Sequence, residues 1–389
     1  MKKSFVCSCL LGIYVAVFSP TNSTAGEIGR KQAEVKGLLV MDLGNGKFAG
    51  TASQMNATAM SKTGVKNLEL AFNQDVGAMM DQATREVVKF MNVRHADLPE
   101  GYRVEFAFAD KYSPKDGPSA AVATALLLDS IITGKELNND FAVTGDMNAT
   151  GEVRPVGGVR AKVRGAAKRC KLVAIPEQNA DAISDAYVLE GIPYLTAVQI
   201  FSIENFDQAY ALAAEQSPET QQAITDFAAV QGALERNEKF VYNPKVREKL
   251  REVVEALPNH LSAHLLLRHS YNKGPKSLSL NGSISAIDTA SFEFSKMLQN
   301  QSFLERGGEN DVLAGYISDM RDLRKIVDNR VRNYCDSYME LAEYIKSVRL
   351  KRTWSQQNAS EFAMKVNAIR AEREALIGNP EVQEELMMD

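Results

Sequence analysis

The spacing of hydrophobic and polar positions divides the chain into two halves that differ in the secondary structure they predict. In the first half, apolar runs of strand length alternate with segments of helical period. Residues 34–55 predict a hairpin around the glycine turn at 44–46. Residues 75–92 predict a helix that begins after Asp75, and residues 102–109 alternate as a strand.

The same half continues with a strongly apolar helix at residues 119–133 and a short strand at residues 140–145. A glycine-rich turn at residues 151–158 precedes a further helix, and the strand after that helix ends at Pro176. Strands and helices in mixed order predict an α+β domain over residues 26–200.

From about Asn205 the pattern is nearly all helical, which predicts an all-α module over residues 201–389. Residues 247–270 predict two antiparallel helices joined at a proline, as in tetratricopeptide-type repeats, although no second copy recurs at a fixed period. Residues 272–285, rich in Gly, Ser and Lys, predict a loop between helices. We expect this module to serve packing or dimerisation.

The charge and the amino terminus limit the partners and the location. A net charge of −4 and a pI near 5.8 provide no basic surface for nucleic acid. Lys2 and Lys3, an apolar run of about a dozen residues and the exit Ser23-Thr24-Ala25 predict a signal peptide over residues 1–25. We therefore expect a periplasmic or secreted protein without stable membrane insertion after cleavage.

The cysteines and histidines predict no metal or cofactor site. Cys170 and Cys335 alone remain after signal cleavage, too few for a disulfide framework or a CxxC metal site. His260, His264 and His269 include one pair at i, i+4 spacing, but no HExxH glutamate or other ligand cluster is near. We interpret them as helix-surface histidines.

The stretch KYSPKDGPSA, residues 111–120, places a serine at the start of the apolar helix. Asp116 can cap free backbone N–H groups, and Pro118 has the fixed φ of a first helical turn. Ser119 then lies beside unpaired amides at the positive end of the helix dipole, where negative charge is stabilised. The same features suit a serine that only helps to cap the helix.

A serine hydroxyl becomes a strong nucleophile only when a base takes its proton. The one histidine of the predicted α/β region is His95, in the polar segment NVRHADLPEG, which predicts a surface loop and gives poor support for a Ser-His-Asp triad. The other candidate base is Lys162, which lies beside Val159 and Val163 on its helix, although an isolated lysine is usually a solvated surface group.

Three segments considered together favour the lysine. KDGPSAA, VTGDMNATGEVRPVGGVRAKV and LVAIP follow one another in the order and spacing of the proteolytic domain of Lon proteases. From about Val35 to Ile200 the chain resembles that family, and the 43 positions from Ser119 to Lys162 match the family's spacing.

The resemblance implies a role for each matching residue. Ser119 is the expected nucleophile, Lys162 its general base, and Thr144 the hydrogen-bond partner that orients the lysine. Asp116 is expected at the entrance of the site, and the backbone amide of Ser119 in the oxyanion hole.

Three features depart from the family pattern. Ala121 stands where most members have glycine, and Asp146 where many have glutamate. The sequence also contains no GxxxxGK[ST] phosphate loop, so the ATPase part of Lon has no counterpart in it.

Together these observations predict an exported, ATP-independent serine endopeptidase that acts on peptides or unfolded proteins, needs no cofactor and forms a homo-oligomer. The alternative is a Lon-like domain without activity that serves as a scaffold, with the helical module as its interaction part.

Overall fold

The structure is a computed structural model, and it describes residues 27–44, 48–64, 67–109, 117–299, 310–351 and 355–383. The predicted signal peptide and Asp116 lie outside the described residues.

One mixed sheet of seven strands organises the first half of the chain. The strands are β1 (Gln32–Asp42), β2 (Phe48–Ser61), β3 (Glu69–Phe72), β4 (Tyr102–Phe108), β5 (Phe141–Val143), β8 (Leu172–Pro176) and β9 (Gln199–Ile203). Their order across the sheet is β3-β4-β2-β1-β5-β8-β9. The short strands β6 (Asp146–Met147) and β7 (Val153–Arg154) pair separately.

The long hairpin is antiparallel, whereas the later strands of the sheet pair in parallel. β1 and β2 are antiparallel from the pair Gln32↔Thr58 to the pair Asp42↔Phe48, which confirms the predicted hairpin. β5, β8 and β9 run parallel to β1 and to one another. The carboxyl ends of these parallel strands therefore meet at one edge, where the loops after them are close together.

Helices cover both faces of the sheet. The helices of this half are α1 (Ala78–Arg94), α2 (Ala121–Thr133), α3 (Val159–Ala166), α4 (Ala180–Glu190), α5 (Ile192–Thr196) and α6 (Phe206–Ala213). Phe141 and Val143 of β5 pack with α1, α2 and α6, whereas Ala142 packs with α3, α4 and α5 on the opposite face. This alternation follows from the two-residue period of a strand.

The second half is helical. It contains α7 (Pro218–Arg236), α8 (Pro244–Ala256), α9 (Leu261–Ser270), α10 (Leu280–Met297), α11 (Asn310–Ile326), α12 (Arg332–Lys351) and α13 (Gln356–Gly378). The predicted helix pair joined at a proline is α8 and α9. A mixed sheet followed by many helices confirms the α+β fold class.

The helices of the second half belong to two different cores. Phe227 of α7, Leu250 of α8 and Leu266 of α9 share a core with α3, α4 and one face of the sheet. The helices from α10 onward pack around a separate core, which includes Ile287 and Ile345.

The predicted domain boundary at residue 200 falls inside β9. The pairing of β9 with β8 continues the sheet to Ile203, and α6 packs on the same sheet as far as Ala213. Packing on the sheet therefore continues beyond residue 200, where the sequence pattern predicted the domain to end.

Three local predictions were wrong. Gly77, not Asp75, precedes the first turn of α1. Ser119 lies in a 3₁₀ turn, Pro118–Ala120, and α2 begins after it at Ala121. The second half of the predicted loop 272–285 is helical, because the Ser279 side chain caps the start of α10.

Candidate active site

Ser119 lies half-buried in the 3₁₀ turn that leads into α2. Its carbonyl oxygen accepts two hydrogen bonds, from Thr144 Oγ1 at 3.2 Å and from the backbone N–H of Gly145 at 3.0 Å. The N–H of Val122 in turn donates to the carbonyl of Gly145 at 3.3 Å. These bonds fix the serine turn against the loop that follows β5.

Thr144 directly follows the carboxyl end of β5 and is fully buried. Its N–H donates to the carbonyl of Ala174 in β8 at 3.1 Å, so the strand pairing holds its backbone in place. Because its hydroxyl hydrogen goes to Ser119, the oxygen is free to accept a bond from another donor.

That donor is Lys162. Its Nζ donates to Thr144 Oγ1 at 3.1 Å, and the lysine is only 2% exposed. Burial lowers its pKa from 10.5 to about 8. In mildly alkaline solution a substantial fraction of the Lys162 side chains is therefore the neutral amine, which can accept a proton.

The sequence of α3 explains why this lysine points inward. Val159, Val163 and Ala166 form the apolar face of the helix, and Lys162 lies on that face at i+3 from the first and i−4 from the last. Gly158, with φ of 72°, precedes the helix in the left-handed region, which glycine adopts without strain.

Glycines allow α3 to lie directly on β2. A Cβ built at Gly165 would lie 1.9 Å from the carbonyl oxygen of Gly50, and one built at Gly50 would lie 1.8 Å from that of Ala161. Since real Cβ atoms never approach so closely, both positions need glycine. The depth at which Lys162 is buried depends on this contact.

The turn that carries Ser119 and the helix that carries Lys162 lie on opposite faces of the sheet. Ser119 precedes α2, which packs on one face, and Lys162 belongs to α3, which packs on the other. They meet at Thr144, where β5 ends. The structure thus brings together Lys162, Thr144 and the backbone of Ser119, three of the positions that the resemblance implies.

His95 does not belong to this group. It ends α1 instead of lying in a surface loop, and its Nε2 lies 3.0 Å from Oδ1 of the buried Asp129, which also accepts from Arg94 at 2.9 Å. Asp129 lies ten residues beyond Ser119, roughly 15 Å along a helix that rises 1.5 Å per residue. This cluster joins α1 to α2 and leaves Lys162 as the candidate base.

Asp146, the acid after Thr-Gly, is half-buried in β6. Burial raises its pKa, while the charge of Arg154 on the paired strand acts in the opposite direction. In the sequence, this position is marked only by its departure from the family pattern.

Sequence reasoning missed the ion pairs that hold α3 against α4. Glu190, at the end of α4, accepts from Arg160 Nε at 3.0 Å and also pairs with Arg164. The Tyr194 hydroxyl donates to the carbonyl of Arg160 at 3.2 Å. The i, i+4 arginines of α3 were the available signal, but Glu190 is 30 and 26 positions away from them.

His260 contradicts its interpretation as a helix-surface residue. It is fully buried between Phe201 and Phe227, its Nδ1 accepts the N–H of Ala263 at the start of α9, and burial lowers its pKa to about 3. Within the described ranges, no cluster of three or more His, Cys, Asp and Glu side chains is arranged to hold a metal ion.

No helix in the described part of the chain combines the length and the apolar character that a membrane span requires.

Comparison with known families first identifies the class. Residues 31–213 match the sequence model of the Lon protease (S16) C-terminal proteolytic domain. This part of the chain therefore matches the Lon proteolytic domain, and the resemblance that the motifs indicated is confirmed.

Curated relatives match over the same domain. Lon protease 1 of Herpetosiphon aurantiacus is 31% identical over 172 residues, 41% of this chain and 19% of the relative. Lon protease 1 of Thermus thermophilus is 29% identical over 145 residues, 36% and 18% of the two chains. The Lon protease of Haemophilus influenzae is 28% identical over 158 residues, 39% and 19%. The chain therefore spans about a fifth of the length of these relatives.

Proposed function

We propose that the chain is a serine endopeptidase in which Ser119 is the nucleophile and Lys162 the general base. The observation that carries this proposal is the buried Lys162, whose pKa is about 8 and whose Nζ binds the threonine that also holds the serine turn. The match of residues 31–213 to the Lon proteolytic domain supports the same assignment.

The proposed reaction has two stages. Neutral Lys162 takes the hydroxyl proton of Ser119, and Oγ attacks the carbonyl carbon of the scissile peptide. The C–N bond then breaks, the leaving amine takes the proton from the lysine ammonium, and an ester links Ser119 to the acyl part of the substrate. Water, deprotonated by Lys162, then attacks the ester carbonyl carbon. The bond to Ser119 Oγ breaks, the acyl part leaves as a carboxylic acid, and the lysine ammonium returns its proton to Oγ.

Thr144 positions the base in this proposal. Its oxygen accepts one lysine hydrogen, which leaves the nitrogen lone pair to be directed elsewhere, and its own hydrogen ties it to the serine turn. The backbone amide of Ser119 is proposed as an oxyanion donor and Asp116 as a residue at the site entrance.

The first experiment measures peptide cleavage and fluorophosphonate labelling of the purified protein. We expect Ser119→Ala to abolish labelling, and Ser119→Ala and Lys162→Arg each to lower the cleavage rate roughly 10³-fold or more, because arginine stays protonated. The double variant should be no worse than either single variant. Ser360→Ala, on the exposed face of α13, is the matched control.

The same assay gives the pH dependence. Since the neutral amine is the active form, the cleavage rate should rise through about pH 8 and level off above it. Near-normal cleavage by Lys162→Arg would assign the base to another group. Absence of both cleavage and labelling in the wild-type protein would favour the scaffold alternative.

The proposal includes ATP independence, with peptides or unfolded proteins as substrates. It is supported by the lack of a GxxxxGK[ST] motif in the printed sequence. Unfolded casein should be cleaved equally with and without ATP, and a requirement for ATP hydrolysis would contradict this part.

Export to the periplasm or the exterior also remains a proposal, supported by the charged, apolar and small-residue regions of residues 1–25. Mass spectrometry of the mature protein should show a start after Ala25, and an intact Met1 in a cytoplasmic fraction would contradict it. We further propose a homo-oligomer, which sedimentation would disprove by showing a monomer.

A further inference from the structure

A cavity of about 530 Å³ lies between the family domain and the helices after it. One wall comes from α4 and the start of α5, with Tyr187 and Ile192. The opposite wall comes from the 3₁₀ turn Glu238–Tyr242, the end of α9 and the segment that follows it. Its volume is within the range of small-molecule sites.

A hydrogen-bond chain of three side chains lies in the lining of this cavity. Nδ1 of His269 lies 2.5 Å from the Tyr187 hydroxyl, and its Nε2 lies 3.0 Å from the Tyr242 hydroxyl. Burial lowers the pKa of His269, which favours the neutral ring with one N–H donor and one bare nitrogen. One tyrosine therefore donates to the ring and the other accepts from it.

The tyrosine that accepts keeps its own hydroxyl hydrogen. Among the described residues, neither Tyr187 nor Tyr242 bonds any side chain besides His269 through its hydroxyl. One O–H donor is thus left for an acceptor inside the cavity.

The charges of the wall favour a negative ligand. Lys239 and Lys276 line the cavity, both are exposed, and among the described residues neither ammonium has an ion-pair partner. Glu238 is the one carboxylate of the wall, so two cations face one anion. Val188, Ile192, Pro275 and Ile326 supply an apolar surface beside them.

We propose that this cavity binds a small carboxylate with an apolar body. The carboxylate oxygens pair with Lys239 and Lys276 and accept the spare tyrosine hydrogen, because charge-assisted hydrogen bonds are the strongest available there. The apolar body lies against Val188, Ile192 and Ile326, where burial removes hydrocarbon surface from water.

The test is calorimetric titration of the full-length protein with 4-phenylbutyrate. We expect saturable binding with a dissociation constant on the order of 1 mM or lower, given the size of the ligand. The neutral amide, 4-phenylbutyramide, should bind at least about tenfold more weakly, since it lacks the charge. Inorganic phosphate, which has charge but no apolar body, should also bind at least about tenfold more weakly.

Charge variants of opposite sign make the test specific. Lys239→Gln combined with Lys276→Gln should weaken binding about tenfold, and Glu238→Gln should strengthen it about threefold, because the wall loses or gains net positive charge. All three positions are exposed, so the fold should be kept, and thermal melting checks this. Lys245→Gln, on α8 outside the cavity, is the matched control.

No saturable binding to the wild-type protein would overturn the proposal. Unchanged affinity in the double lysine variant, or phosphate binding as tight as that of the carboxylate, would do the same.

Discussion

Lys162 combines two opposing requirements at a single residue. A buried ammonium is unfavourable because burial removes its hydration, and this cost is what lowers its pKa to about 8. The property that suits the lysine to act as a base therefore also destabilises the folded protein at neutral pH.

Replacement by methionine separates the two effects. The folded pKa of Lys162 lies below the unfolded value of 10.5, so the unfolded state binds more protons between pH 8 and 10.5 and wild-type stability rises across that window. Lys162→Met removes this contribution of Lys162 to the pH dependence of stability. We expect it to raise the free energy of unfolding by up to about 3 kcal/mol at pH 7 and by little above pH 10.5, with cleavage lost.

Urea unfolding at pH 7 and at pH 10.5 measures this prediction. Lys168→Met, at an exposed position shortly after α3, is the control and should leave the pH dependence of stability unchanged. A Lys162→Met protein that is less stable than the wild type at pH 7 would show that the lysine contributes to folding.

Motif spacing indicated the candidate residues of the site, and composition did not. The resemblance pointed to Ser119, Thr144 and Lys162, and the structure places the serine turn and the lysine on the same threonine. Sequence patterns could not indicate that Asp129 holds His95, because the two residues are 34 positions apart, on different helices.

The helix α3 and the strand β2 lie in direct backbone contact beside the site. Gly50 and Gly165 let the helix and the strand touch through their backbones. No periodicity predicts such a contact, because glycine has no side chain to contribute to a hydrophobic pattern.

A methyl group at this contact should separate the two elements. We expect Gly165→Ala to lower the free energy of unfolding by about 2–3 kcal/mol or more, because the new Cβ would lie 1.9 Å from a backbone oxygen. Displacement of α3 would also expose Lys162 and shift the pH profile of cleavage to higher pH.

Gly232→Ala is the matched control for thermal melting. Gly232 lies inside α7 with open space around the position of a Cβ, so alanine should stabilise the helix by about 0.5–1 kcal/mol. Equal effects of the two substitutions would contradict the close contact of α3 and β2.

Regular elements could be predicted when their pattern was local and long. The hairpin and the apolar helix after Ser119 are examples. The start of α10 could not be predicted, because Asp185 of α4, 94 positions away, accepts from the N–H and the hydroxyl of Ser279 at 2.7 Å each. The turn-like composition of residues 272–285 gives no sign of that partner.

In the molecule as a whole, Asp185 connects α4, which packs on the sheet, to the helices from α10 onward. Its carboxylate is nearly buried and lies at the amino end of α10, against Gly282. The core of α10 to α13 otherwise meets α4 mainly through the partly buried Val188 and Leu189.

Loss of the Asp185 carboxylate should destabilise helices α10 to α13 more than the rest of the protein. We expect Asp185→Ala to lower the free energy of unfolding by about 2–3 kcal/mol, because two part-buried donors of Ser279 lose a charged acceptor. Hydrogen exchange should accelerate in α10 to α13 and remain unchanged in α2. Asp181→Ala, exposed on the same helix, is the control, and uniform acceleration in both units would contradict the prediction.

The placement of Ser119 and Lys162 on opposite faces of the sheet has a consequence for biogenesis. Under the proposed mechanism the lysine is a competent base only after both helical layers have closed over the sheet, since an unshielded lysine stays protonated at neutral pH. A chain that is still folding therefore has no active nucleophile and does not cut itself or its neighbours. In other peptidases, removal of an inhibitory propeptide switches the activity on, and here completion of the fold would have that role. Labelling of Ser119 during refolding should therefore appear only with the final folding phase.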